Sequence, residues 1–193
     1  MSVSSFPEIF ELLLQERGLS AEDKEDFLNP DYSKLHDPLL LPDAEIARDR
    51  VIRAVKDNEH IVVFSDYDAD GIPGAVVLKD FFSRIGYENV SFYIPHRHDE
   101  GFGLNLDAID EVGERGTRLI ITVDCGIADI KEVTRANELG MEVIITDHHL
   151  PRLASGKAGE PKEILPSAFA IVDPKRADSK YPFKELCGSG VAY

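Results

Sequence analysis

The chain has 193 residues, 43% of them hydrophobic and 30% charged, with a net charge of -15. That length holds one α/β domain with a full core, or one domain with a small appendage. The acidity excludes a nucleic-acid binder that works through a broad basic surface, but not an enzyme that reaches phosphates through bound cations, which invert the local charge.

Cys125 and Cys187 lack metal-finger spacing and read as reduced thiols of a cytoplasmic protein. No apolar run approaches a membrane span. The N-terminal stretch has no basic region and carries acids among its apolar residues, so it is no signal peptide.

In chain order, Phe6, Ile9, Phe10, Leu13 and Leu14 recur at helical spacing over 6–17, and Gly18 ends the run. Ser20 is the expected N-cap of a second short helix. Asp23 stands where a full capping box carries a longer Glu or Gln, so a loose box is expected. FLNPDYSKLHDPLLLPD reads as an irregular arm, and Asp43 as the cap of a helix running to about Asn58.

The rhythm then changes. IVVFS (61–65), VSFYI (90–94), RLIITVD (118–124), MEVIITD (141–147) and AFAIVD (168–173) read as strands. Helices are expected over 71–87, 105–116 and 127–140, with a looser insert, PRLASGKAGEPKEILP, before the last strand. Alternating strands and helices predict βαβ units, and nearly continuous apolar strands predict a parallel sheet buried on both faces. The expected fold is α/β: a doubly wound five-stranded parallel sheet with helices on both faces, preceded by a small helical N-terminal arm over residues 1–45.

The carboxylates fall at strand ends. Asp66, Asp68 and Asp70 follow the first strand, Asp124 ends the third, and Asp147, His148 and His149 end the fourth. A parallel sheet gathers its carboxyl ends on one edge, where ligands bind. Carboxylates with imidazole suit Mn²⁺ or Mg²⁺ better than a thiolate-type zinc site. So many acids are natural for two ions, which would also offset the repulsion among the three aspartates of the first turn. The adjacent histidines are expected to leave the strand end in different directions. Each signal alone is weak: DYDADG equally fits a calcium-loop start or a solvated turn, and Asp124 a helix cap. His96 and His98 read as exposed loop residues, His36 and His60 as surface or capping residues, and Cys125 as a small packed residue. Ligand types at three separate strand ends are the stronger signal.

Taken together, FSDYDADG, YIPHRHDEGFGLN, LIITVDCGI, IITDHHLP and FAIVDPKRADSKYPFKELCGSGVAY, behind the arm FLNPDYSKLHDPLLLPD, resemble the DHH phosphoesterase family. Within it they resemble the RecJ-type single-strand-specific exonucleases. The resemblance implies a DHH phosphoesterase domain over 46–193. It implies metal ligation by Asp66, Asp68, Asp70, Asp124 and His148, with Asp124 bridging two Mn²⁺ or Mg²⁺ ions. His149 would contact the scissile phosphate, so that His149 and Asp124 are the catalytic pair. Arg97, Asn105 and His149 would meet the substrate strand, and Asp147 would orient a histidine. The implied activity is metal-assisted hydrolysis of single-stranded DNA from a 5′ end, releasing 5′ mononucleotides in DNA repair and recombination. Two other readings stand beside it: a DHH phosphodiesterase for short oligonucleotides or cyclic dinucleotides, and a non-catalytic replication scaffold.

Two departures qualify the resemblance. Phe64 occupies the position of a ligand histidine found in many DHH enzymes. The chain also stops at GSGVAY, before the family's next catalytic aspartate and its C-terminal domains. A domain truncated at the C-terminus is therefore expected, with the second ion held weakly and the site completed by the missing domains.

Overall fold

The computed structural model describes residues 8–154 and 162–193; Phe6 and residues 155–161 of the insert lie outside the described residues. Packing divides the chain into Met1–Asp37 and Pro38–Tyr193.

The first unit contains α1 (Glu8–Glu16) and α2 (Ala21–Leu28), followed by a 3-10 turn over Tyr32–Lys34. Gly18 adopts φ 69° just after α1, a left-handed stop that favours glycine. The capping box of α2 is complete rather than loose. Ser20 Oγ accepts the Asp23 N–H (3.1 Å), and Asp23 Oδ2 accepts the Ser20 N–H (3.2 Å). The Ser20 hydroxyl also donates to Asp23 Oδ2 at 2.6 Å, which draws the shorter carboxylate into reach.

The second unit begins with a 3-10 turn over Pro38–Leu40 and α3 (Ala44–Lys56). Asp43 occupies the N-cap position of α3 but does not cap it. Its φ is 56°, and its Oδ2 accepts from Arg176 Nη1 (2.6 Å) and from the Ile171 N–H (3.0 Å). A charge-assisted bond to a buried guanidinium outweighs a local bond to a backbone amide.

There follow β1 (Ile61–Ser65), α4 (Gly71–Arg84), β2 (Val90–Tyr93), α5 (Leu106–Glu114), β3 (Leu119–Val123), α6 (Ile130–Glu138) and β4 (Glu142–Thr146). The chain then runs through β5 (Arg152–Ala154), β6 (Lys162–Ile164), β7 (Ala170–Val172) and α7 (Gly188–Ala192). β1–β4 and β7 form the expected five-stranded parallel sheet, in the order β2-β1-β3-β4-β7. The insert differs from expectation: β5 and β6 pair as an antiparallel ribbon, too short for its alternation to show in the sequence.

Side chains alternate across the sheet, so each strand feeds two cores. Val63, Ile121, Ile144 and Val172 pack with Ala47 and Ala54 of α3, Ala75 and Phe82 of α4 and Val191 of α7. Val62, Phe64, Ile120 and Ile145 pack on the other face with Ile109 of α5 and Val133 of α6. Every residue of β1 and β3 is buried, as a parallel sheet covered on both faces requires. α6 starts later than expected. Gly126 takes φ 112°, and the Ile127 N–H donates to Asp147 Oδ2 (2.9 Å), so the chain turns before it coils.

The strand order reverses direction between β1 and β3, the place where open α/β sheets bind ligands. Register decides what lies there. Ser65 pairs with Val123, Val123 with Thr146, and Thr146 with Val172. The residues that follow these four are Asp66, Asp124, Asp147 and Asp173. The ladder continues through the first three: Asp66 N–H donates to Val123 O, Asp124 N–H to Thr146 O and Asp147 N–H to Val172 O. Four aspartates therefore form one row across the carboxyl edge.

Candidate metal centre

All four aspartates of the row are at most 2% exposed. Burial of a carboxylate disfavours its charge, and the four meet that cost differently. Asp147 is fully engaged. Its Oδ1 accepts the His148 N–H (2.7 Å), the His149 N–H (3.2 Å) and His149 Nδ1 (2.7 Å), and its Oδ2 accepts the Ile127 N–H. Asp147 thus orients His149, and this hydrogen bond raises the His149 pKa above the usual imidazole value.

Asp66, Asp124 and Asp173 are not so served. Asp66 Oδ1, Asp124 Oδ1 and Asp173 Oδ2 are buried and find no hydrogen-bond partner among the described residues. Burial pushes the Asp66 carboxyl up. Burial, with Asp70 and Asp68 nearby, pushes Asp124 up to about 7. Asp173 rises to about 7, again chiefly by burial, although its Oδ1 accepts the Lys175 N–H at 2.7 Å. Asp124 also holds φ 61°, a left-handed conformation that Asp tolerates better than most residues. Unpartnered buried oxygens in a native fold call for an explanation.

The turn after β1 handles its like charges one by one. Asp68 Oδ1 accepts the N–H groups of Asp70 (2.7 Å) and Gly71 (3.0 Å) at the start of α4, and these bonds hold its pKa down. Burial raises Asp70, but the N–H groups of Ser189 and Gly188, each at 2.7 Å from a carboxylate oxygen, outweigh it and leave its pKa lowered. Close packing fixes this arrangement. A Cβ on Gly71 would stand 2.5 Å from the Asp66 carbonyl oxygen, and one on Gly188 would collide with the Asp124 carboxylate.

Two constellations of ligand-type atoms result, each within 4.8 Å: Asp66 with Asp68 and Asp124, and Asp124 with His148 and His149. They share Asp124. The two imidazoles lie side by side, with centroids 4.6 Å apart and planes at 59°, but they take different partners: His149 Nδ1 bonds Asp147, while His148 turns to Asp124 and Asp70. His148 Nε2 lies 3.1 Å from Asp124 Oδ1 and 3.6 Å from Asp70 Oδ2. Asp70 stands outside both constellations. The carboxylate-imidazole set suits a hard divalent cation, and such a cation would satisfy Asp66 Oδ1, which has no donor among the described residues, and Asp124 Oδ1, which faces His148 Nε2 at 3.1 Å without a hydrogen bond.

The remaining residues singled out in the sequence take other places. The Arg97 guanidinium lies 4.6 Å from the Tyr67 ring centroid, on the turn that carries Asp66 and Asp68. Asn105 is the N-cap of α5; its Oδ1 accepts the Ala108 N–H (2.8 Å), and its amide lies 3.3 Å from Glu100 Oε1. Phe64 is buried and stacked on Tyr93, with centroids 4.9 Å apart, on the α5–α6 side of the sheet. Cys125 is packed as expected, its thiol pushed up by burial. Asp173 escaped the sequence reading, although the same strand-end rule applied to AFAIVD points to it.

The family model for the DHH family, N-terminal domain, matches residues 60–193. The single-stranded-DNA-specific exonuclease RecJ of Bacillus subtilis is 42% identical over 182 residues, covering 94% of this chain and 22% of that protein. The Escherichia coli RecJ is 35% identical over 153 residues, covering 79% of this chain and 25% of that protein. This chain therefore spans only a minor part of the length of these relatives. A crystal structure of exonuclease RecJ bound to manganese superposes with a TM-score of 0.67 at 32% identity, covering 82% of this chain and 37% of that one. RecJ of Thermus thermophilus in complex with Mn²⁺ gives 0.64 at 30% identity, covering 94% and 23%. With the family match spanning every strand of the sheet and every aspartate of the row, this chain belongs to the DHH family.

Proposed function

We propose that this chain carries the metal-binding part of a RecJ-like exonuclease, one that hydrolyses single-stranded DNA from the 5′ end in DNA repair and recombination. The observation that carries this reading is the pair of constellations sharing Asp124, at the edge where the sheet order reverses. Asp66 and Asp68 would hold one Mn²⁺ or Mg²⁺ ion, His148 the other, and Asp124 both. Asp70, engaged with α7 and 3.6 Å from His148, would add its charge to the second position. When bound, such ions supply positive charge to the scissile phosphate and acidify water.

The chain's own residues account for the rest. Asp147 occupies His149 Nδ1, which leaves Nε2 to donate to a phosphate oxygen, and the raised pKa favours the imidazolium form that can do so. Arg97, whose guanidinium lies over the Tyr67 ring of the first turn, would meet a backbone phosphate of a single strand. Asn105 would act on the same strand through the loop it anchors to α5. We assign the chemistry to the sheet-bearing unit and a supporting role to the N-terminal arm. We infer a cytoplasmic location from the two free cysteines.

Mn²⁺ calorimetry with Asp124→Ala as control tests the reading. Binding that disappears in the variant is the expected result; no binding by the wild type would overturn it. A substrate series from dinucleotide to long single strands then separates an exonuclease from a small-substrate phosphodiesterase.

A further inference from the structure

Asp129 opens α6 without capping it: its side chain makes no bond to the first turn of the helix. Its Oδ2 accepts instead the N–H of Leu104, at 2.8 Å, from the loop between β2 and α5. The approach is close. Gly103 takes φ 81°, and a Cβ there would stand 2.7 Å from Asp129 Oδ2. Leu104 itself is buried in the core on the α5–α6 side, so side chain and backbone anchor the loop together. Two residues before Leu104, Phe102 is exposed, and its ring meets His149 edge to face, with centroids 5.6 Å apart and planes at 79°.

We propose that Asp129 is a positioning residue for His149. By holding the Gly101–Leu104 loop it sets the Phe102 ring against the imidazole, which is also bonded through Nδ1 to Asp147 and lies beside the His148 ring. Imidazole orientation matters only if His149 meets the substrate, so the catalytic part of this inference rests on the hydrolytic reading above. Aromatic pairs of this geometry attract each other beyond what their burial contributes, which biases one ring orientation. The Asp129 carboxylate is suited to a static role: it lies five residues from Asp124, in neither ligand constellation.

The test reads the His149 ring protons by NMR in the metal-free chain, where the Phe102 ring current displaces them. Phe102→Leu removes that displacement, and because Phe102 is exposed the fold survives the change. Asp129→Ala and Gly103→Ala are expected to shift the same protons in the same direction. Asp129→Asn keeps an acceptor for the Leu104 N–H and is expected to retain the wild-type positions. If Asp129→Ala leaves the His149 signals unmoved while Phe102→Leu displaces them, the proposal fails; if neither variant moves them, it fails too. In a hydrolysis assay Asp129→Ala should lower kcat on the order of tenfold with Mn²⁺ affinity unchanged. Coupled NMR shifts alongside a full-length protein that never cleaves a phosphodiester would leave the positioning intact and overturn the hydrolytic reading.

Discussion

Asp124 concentrates the demands made on the row of aspartates. It is buried, left-handed and short of a donor, and its pKa rises to about 7. Replacing it with Asn keeps the shape, tolerates φ 61° and removes the charge. We predict that Asp124→Asn raises the melting temperature of the metal-free protein, by roughly 2–4 °C for each kcal/mol regained, while calorimetry shows Mn²⁺ binding abolished. A variant less stable than the wild type would refute the view that this site trades stability for binding. His149 makes the opposite case. His149→Ala should leave Mn²⁺ affinity near the wild-type value and lower kcat by about 10²–10³-fold, the loss typical of one donor to a developing oxyanion.

At the scale of elements, the ends of helices hold the site together. α4 begins on the Asp68 carboxylate, and α7 begins on Asp70, so each helix start neutralises one acid of the first turn. Asp70→Ala is predicted to release α7. Hydrogen exchange at the Gly188 and Ser189 amides should accelerate while the β1 and β3 amides keep their protection. Gly188→Ala drives a methyl group into the Asp124 carboxylate. Overpacking of this kind costs about 1–3 kcal/mol, and the variant should bind Mn²⁺ more weakly than Gly190→Ala, whose added carbon meets first the side chains of Leu186 and Cys187. Equal affinities in the two variants would separate α7 from the metal centre.

The whole molecule is governed by how many buried acids it carries. Asp66, Asp124, Asp129 and Asp173 all have raised pKa values, the last three to about 7, 6 and 7. Between the ordinary carboxylate range and pH 7 the folded metal-free chain therefore binds more protons than the unfolded one, and stability falls as pH rises through that window. The raised His149 pKa acts in the same direction: its contribution is complete below about 6.5 and is lost as pH climbs through the folded value. Melting temperatures of the metal-free protein should accordingly be higher near pH 5 than near pH 8, and Mn²⁺ should restore the difference at the higher pH. A flat profile would mean that the row is hydrated rather than buried.

Whatever depends on neighbours along the chain is legible in the order of the amino acids. The apolar runs define the strands, their alternation with helices defines the parallel sheet, and DYDADG and TDHH mark where ligand atoms cluster, because strand ends can be read from local periodicity. How the strands align is settled by long-range packing. The register that sets Asp66, Asp124, Asp147 and Asp173 side by side comes from pairing between segments far apart in sequence, and no local pattern encodes it. The same holds for Asp43, which a sequence rule assigns to a helix cap but which Arg176 claims across the fold, and for Asp129, whose partner is a loop amide twenty-five residues away. A polar side chain goes to its strongest available partner, and which partner is available is settled by packing.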